Sequence, residues 1–246
     1  MGARNRLVAE TAQLHKAPDR RERGQTLLEG PNLVDEAVRA GARIPSIFAL
    51  SHDGQSARRA EEIGASLHLI DDGALARLAD TVHPQGPVAV LEISPSAILD
   101  NDDAVVLWGV ADPGNTGTII RTAAAFGLGV MVVAGGVDPW SPKVLRAAAG
   151  GHFRTKIEVA SLAVADLHTR GWRTVAAVVQ GGTDLLSFEW PQPCALLIGE
   201  EAAGLPAEVV ADATQRVSIP MSGGVESLNA GVAAALLMWE LSRQEP

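Results

Sequence analysis

Four runs in the second half of the chain are apolar at almost every position: AVVLWGV (104–110), GVMVVAGG (129–136), TVAAVVQGG (174–182) and CALLIG (194–199). A strand with one wet face alternates apolar and polar residues, whereas a strand buried on both faces does not. Between these runs lie helical patterns, among them TIIRTAAAFG (118–127), ending on Gly127 as a helix-terminating glycine, and SPKVLRAAAGG (141–151). Buried strands alternating with helices predict a mostly parallel sheet covered on both sides, an α/β fold. Ligands of such sheets usually sit beyond the carboxyl ends of the strands.

The first half alternates in the same way but with shorter pieces. TLLEG reads as a strand, GPNLVDEAVRAGA as a break followed by a helix with Pro31 in its first turn, and IPSIFALS as a strand. SARRAEEIGA (helix), SLHLI (strand), DDGALARLAD (helix) and GPVAVLEI (strand) follow. The polar, turn-rich SPSAILDNDD places a boundary near Asn101, giving a small α/β domain over 1–100 and a larger one over 101–246. Residues 1–24 predict a helix and then the basic segment HKAPDRRERG (15–24), whose composition reads as a solvated, partly frayed terminus.

Composition narrows the function. The one cysteine, Cys194, rules out an internal disulfide and a multi-cysteine metal site, and its apolar setting predicts a buried structural thiol. No metal is called for. A net charge of −9 argues against general coating of nucleic acid while leaving room for a local basic patch. No apolar run is long enough to cross a bilayer, and MGARNRLVAE lacks the apolar core of a signal peptide, so a soluble cytoplasmic protein without membrane contact is expected.

Three loops carry most of the glycine and polar groups of the second domain: DPGNTG (112–117), GEEAAGLP (199–206) and IPMSGGVESLN (219–229). In the last, a short strand (217–219) stops at Pro220, Gly223 and Gly224 allow close backbone approach to a ligand, and a helix apolar around most of its circumference follows. Glu226, Ser227 and Asn229 gather at that helix start. Ser227 and Asn229 can be helix caps, or they can belong to a site. If the loops converge, they assemble Asn115, Arg121, Glu201, Ser227 and Asn229 around a pocket of exposed main-chain groups suited to a nucleoside cofactor. Arg121 has two readings: a surface side chain whose stem covers the apolar face, or a buried guanidinium that requires an anionic partner. A nicotinamide enzyme is a poor alternative, because GVADPGNTG lacks the G-x-G-x-x-G spacing and no G-x-x-x-x-G-K-[ST] loop occurs.

At these residues the chain resembles the SpoU (TrmH) family of RNA ribose 2′-O-methyltransferases of the SPOUT class. The resemblance rests on N-x-G-x-x-x-R-T-A-A-A-F-G (115–127), G-x-E-x-x-G-L (199–205), and I-P-M followed by S-L-N (219–229), in the family's order and spacing. LLEGPNLVDEA and HPQGPVAV resemble the ribosomal-protein-like RNA-binding domain that many members carry in front, and the basic segment is similar to their leader. Ala202 and Ala148 stand where many relatives have Gly and Ser; neither position carries the proposed chemistry, so the departures blur the subgroup and leave the reaction intact.

The resemblance implies a trefoil-knotted catalytic domain that binds S-adenosylmethionine and pairs as a homodimer through the C-terminal domain. It assigns Gly199, Ile219, Met221 and Leu228 to the cofactor and Asn115, Arg121, Glu201, Ser227 and Asn229 to catalysis. The implied reaction moves a methyl group from a sulfonium to a ribose 2′-oxygen of RNA, most often large-subunit (23S) ribosomal RNA. Positioning dominates such a displacement. Guanidinium holds its proton far above neutral pH, so Arg121 is expected to fix an RNA phosphate and orient the hydroxyl, with the proton leaving through a phosphate oxygen or water. Two alternatives share the fold: a tRNA 2′-O-methyltransferase and a catalytically silent RNA-binding or assembly factor.

Overall fold

A computed structural model of the chain describes residues 1–94, 96–133, 135–222 and 226–243. They fall into two compact units, one formed by Met1–Ser94 with Asp138–Phe153, the other by 95–137 with 154 onward. A single cut near Asn101 does not anticipate this division: the second unit's chain lends one internal segment to the first.

The first unit contains α1 (Arg6–Thr11), α2 (Ala17–Arg23), β1 (Gln25–Glu29), α3 (Pro31–Arg39), β2 (Ser46–Leu50), α4 (Gly54–Ile63), β3 (Ser66–Ile70), α5 (Asp72–Leu78) and β4 (Val88–Glu92). Its strands run in the order β1-β4-β2-β3, with β4 antiparallel to both neighbours and β2 parallel to β3. Alternation along each strand sends Leu27, Phe48, Val88 and Val90 into one apolar cluster with Leu75 and Leu78. Leu28, Ile47, Ala89 and Leu91 enter another with Leu33, Val34 and Ala60. Both faces of this sheet are therefore covered.

The lent segment carries α7 (Pro142–Ala148). Leu145 is fully buried in the second of those clusters, and the Thr26 hydroxyl donates to the Trp140 carbonyl at 2.6 Å. The basic stretch after residue 15 differs from expectation. It is helical in α2, and Arg20 is only 4% exposed, donating to Asp138 at 2.6 and 2.9 Å and to the carbonyls of Leu14 and His15 at 2.8 Å each. A guanidinium with four such bonds is a structural strut, not part of a frayed end.

The second unit contains β5 (Ala104–Leu107), α6 (Pro113–Phe126), β6 (Gly129–Val133), β7 (Ile157–Ala160), α8 (Val164–Thr169), β8 (Arg173–Ala177), β9 (Thr183–Asp184), β10 (Cys194–Ile198), α9 (Ala207–Asp212), β11 (Gln215–Ser218) and α10 (Ala230–Ser242). All paired strands are parallel, in the order β7-β6-β5-β10-β8-β11-β9. Every residue of β5, β6 and β10 is buried: Ala104, Val106, Met131, Val133, Ala195 and Leu197 pack with Val164, Leu167 and Trp172, and the intervening residues fill the opposite face. α10 packs along α6. Helix α6 starts earlier than its apolar pattern suggests, because the Asp112 carboxylate accepts from the Asn115 N–H at 2.7 Å and Pro113 occupies the first turn. Among the described residues no helix is long and apolar enough to cross a membrane.

Candidate functional site

The adjacent strands β10, β8 and β11 point their carboxyl ends at one cavity of about 360 Å³. Its walls are the segment after β10 (Gly199 to Gly204), the residues ending the β8 run (Val178, Val179), the segment after β11 (Ile219, Met221) and the approach to α10 (Ser227, Leu228), with Leu237 beneath. Placement at the carboxyl edge follows from the parallel sheet, where loops leaving neighbouring strands emerge side by side. At Gly199 a side chain is excluded: a Cβ there would lie 2.2 Å from the Gly204 carbonyl carbon and 2.4 Å from the Leu205 nitrogen. That close approach is locked by Glu200 and Gly204, which exchange main-chain bonds of 3.2 and 2.8 Å and turn the backbone into the cavity wall.

A polar cluster closes one side of this cavity. The Asn229 side-chain amide donates to Asn115 Oδ1 at 2.9 Å and to Glu201 Oε1 at 2.7 Å, while its own Oδ1 accepts from the Val232 N–H at 3.2 Å. One residue thus caps α10 and ties it to α6 and to the loop after β10. Asn115 is 8% exposed, so its carboxamide needs that partner. Glu200, Glu201 and Glu226 all line the cavity, whose remaining surface is largely apolar. Main-chain edges, apolar walls and a carboxylate rim suit a ligand with a nucleoside-like body and a positive charge, which is the chemistry of S-adenosylmethionine. Cys194 sits at the opposite, amino end of β10, where burial pushes its thiol well up, as a structural thiol requires.

Of the nine residues expected at a site, Gly199, Glu201, Ile219, Met221, Ser227 and Leu228 line the cavity, and Asn115 and Asn229 join through the bonds to Glu201. Arg121 is not drawn in. It is exposed on α6 and makes no hydrogen bond or ion pair with the described residues, so the surface reading holds and the buried one does not. Ser227 is exposed and is not the cap; Asn229 is. Gly223 and Gly224 lie outside the described residues. Sequence reasoning missed Val178 and Val179, although their place at the end of an apolar run just before Gly181 and Gly182 marks a strand's carboxyl edge.

Residues 103–239 match the model of the SpoU rRNA Methylase family, and residues 5–89 match the MRM3-like substrate binding domain. The chain is 35% identical to an uncharacterized tRNA/rRNA methyltransferase of Synechocystis sp., over 98% of this chain and 92% of that one. It is 30% identical to the 23S rRNA (guanosine(2553)-2′-O)-methyltransferase RlmP of Bacillus subtilis, over 97% of both. Among solved structures, the SpoU methyltransferase AviRb of Streptomyces viridochromogenes, in complex with AdoMet, superposes with a TM-score of 0.87 at 26% identity over 98% of each chain.

Proposed function

Since the chain belongs to the SpoU rRNA methylase family, we propose that it methylates a ribose 2′-hydroxyl of ribosomal RNA, drawing the methyl group from S-adenosylmethionine. The observation that carries the reading is the bifurcated donation by Asn229, which brings residues of all three glycine-rich segments to the edge of one cavity.

Bound there, S-adenosylmethionine supplies a methyl carbon made electrophilic by its sulfonium, with a neutral thioether as leaving group. Gly199, Ile219, Met221 and Leu228 hold it through main chain and apolar contact. Glu201 is aimed by the Asn229 amide, and Asn115 and Asn229 restrain each other, so the polar edge is set before substrate arrives. Ser227 offers a hydroxyl on the same rim. Arg121, exposed and without a protein partner among the described residues, is free to grip an RNA phosphate and orient the 2′-hydroxyl, whose proton leaves through a phosphate oxygen or water.

Large-subunit rRNA is the preferred substrate in this reading, as it is by name for the Bacillus subtilis relative, and the cytoplasm its compartment. A homodimer formed through the C-terminal domain belongs to the same proposal: Val232, Leu236 and Trp239 leave a stripe 42–49% exposed along α10, beside α6. So does the trefoil knot, supported by a chain that inserts β10 between β5 and β8 before β11 and α10 follow. The two domains are read as an RNA-binding part over 1–100 and a methyltransferase over 101–246, with α7 lent across that line.

The test is transfer of labelled methyl from S-adenosylmethionine to purified 23S rRNA and, separately, to tRNA, with ribose methylation mapped on the product. Label in 23S rRNA at a 2′-oxygen supports the proposal. Label only in tRNA moves the substrate assignment, and RNA binding without label in either assigns a silent factor. Sedimentation of the purified chain reads the dimer directly.

A further inference from the structure

The first unit holds a second cavity, of about 450 Å³, which the methyl-transfer chemistry does not use. Its floor is built around Glu29 at the end of β1. That side chain is 7% exposed and accepts from the N–H groups of Asp80 and Thr81 at 2.8 and 3.2 Å, from the Thr81 hydroxyl, and from Arg146 at 3.5 Å. Arg146, on the lent helix α7, also donates to Asp80 at 2.8 Å. The bend into α3 passes through Gly30 at φ 92°, a conformation closed to other residues, which opens the space above this floor.

The rim has a different character. Asn32, His83 and Gln85 line it, are exposed, and make no hydrogen bond with the described residues. Two carboxamides each offer a donor beside an acceptor, and an imidazole adds a flat face. Two carboxylates, Glu29 and Glu36, line the cavity against the one guanidinium of Arg146, which Asp80 also pairs, so the cavity repels a phosphate even though it opens at the start of a helix. A neutral planar group with mixed donor and acceptor edges is what this combination accepts.

We propose that this cavity takes one unpaired nucleobase of the RNA substrate, its edge bonded by Asn32 and Gln85 and its face stacked on His83, with the sugar and phosphate outside. The inference rests on the reading of RNA as substrate. Single-stranded RNA is recognised in this manner, by splayed bases on flat side chains rather than through a groove. Because Arg146 belongs to the segment joining β6 to β7, the floor of this base site is covalently part of the methyltransferase chain.

The test compares the full chain with the triple substitution Asn32→Ala, His83→Ala, Gln85→Ala, which removes no bond among the described residues and should leave the circular dichroism spectrum and melting temperature unchanged. Binding of a short fluorescein-labelled RNA single strand of mixed sequence and of the same RNA as a duplex is read by anisotropy. The single strand should lose about fivefold or more in affinity and the duplex almost nothing. KM for rRNA should rise by a similar factor, with kcat at saturating RNA and the Kd for S-adenosylmethionine unaltered. Single-strand affinity held within about twofold, or an equal loss for strand and duplex, overturns the base site. Should the wild-type chain methylate no RNA, the enzyme reading fails, while the anisotropy comparison still decides the cavity.

Discussion

Asn229→Asp separates the two jobs of this side chain. The substitution keeps Oδ1, and with it the cap on the Val232 N–H at 3.2 Å, but replaces the amide donor by a second carboxylate oxygen. Two bonds disappear, one to Asn115 at 2.9 Å and one to the charged Glu201 at 2.7 Å. Neutral bonds contribute about 0.5–1.5 kcal/mol and those to a charged acceptor about 1.5–3 kcal/mol, and exposure of Asn229 and Glu201 puts both at the low end. Two like charges at 2.7 Å repel by about 1.5 kcal/mol even at the dielectric of water. The site should therefore lose about 2–3.5 kcal/mol of its preset geometry, the lower figure from the bonds alone, a fall of roughly 30- to 400-fold in kcat/KM for methyl transfer. The lost bonds and the repulsion act on the folded chain alone, so stability by urea denaturation should fall as well, by up to about 3.5 kcal/mol, although the cap survives. Asn229→Ala, which lacks cap and donor, should lose both activity and stability. Should Asn229→Asp retain kcat/KM within about threefold, the amide bonds are incidental and the cap is the residue's whole role.

Three further outcomes follow from the geometry of the molecule. Arg121→Lys should lose most turnover with little change in affinity for S-adenosylmethionine, since a point charge cannot grip a phosphate in two places; unchanged turnover refutes the phosphate role. Gly199→Ala drives a methyl group into the Gly204 and Leu205 main chain at 2.2–2.4 Å, so calorimetry should show cofactor binding abolished, and retained binding would remove that wall from the site. Burial pushes His152 down to about 4, below the unfolded value of about 6.5, so between those pH values the unfolded chain binds the extra proton and stability falls as pH falls. The loss approaches about 3 kcal/mol by pH 4 and should vanish in His152→Leu; an identical urea-midpoint slope with pH in both proteins counts against it.

The strands were legible because each is a local pattern: apolar runs such as CALLIG state that both faces are covered, and β10 is buried at every residue. The site was legible where glycine and polar residues crowd a strand's carboxyl edge. What local pattern cannot carry is a partner far along the chain. Arg20 finds Asp138 across 118 positions, and nothing within HKAPDRRERG tells a buried strut from a solvated arginine. The helix SPKVLRAAAGG shows its apolar face without showing whose core that face enters, and Leu145 joins a cluster built from the first unit.

Asn229 presents the opposite difficulty, in that both readings of its sequence position describe it. A carboxamide has an acceptor and a donor on one planar group, so the oxygen can terminate a helix while the nitrogen holds two other segments. Ser or Asp would cap as well, yet neither offers the two amide protons in that orientation. The helix start alone therefore admits several residues, and the demand for two simultaneous donations to oxygens of Asn115 and Glu201 narrows them to one. That narrowing is set by three segments separated by up to 114 positions, which is why the residue type could be read as a cap locally and as a tie only in three dimensions.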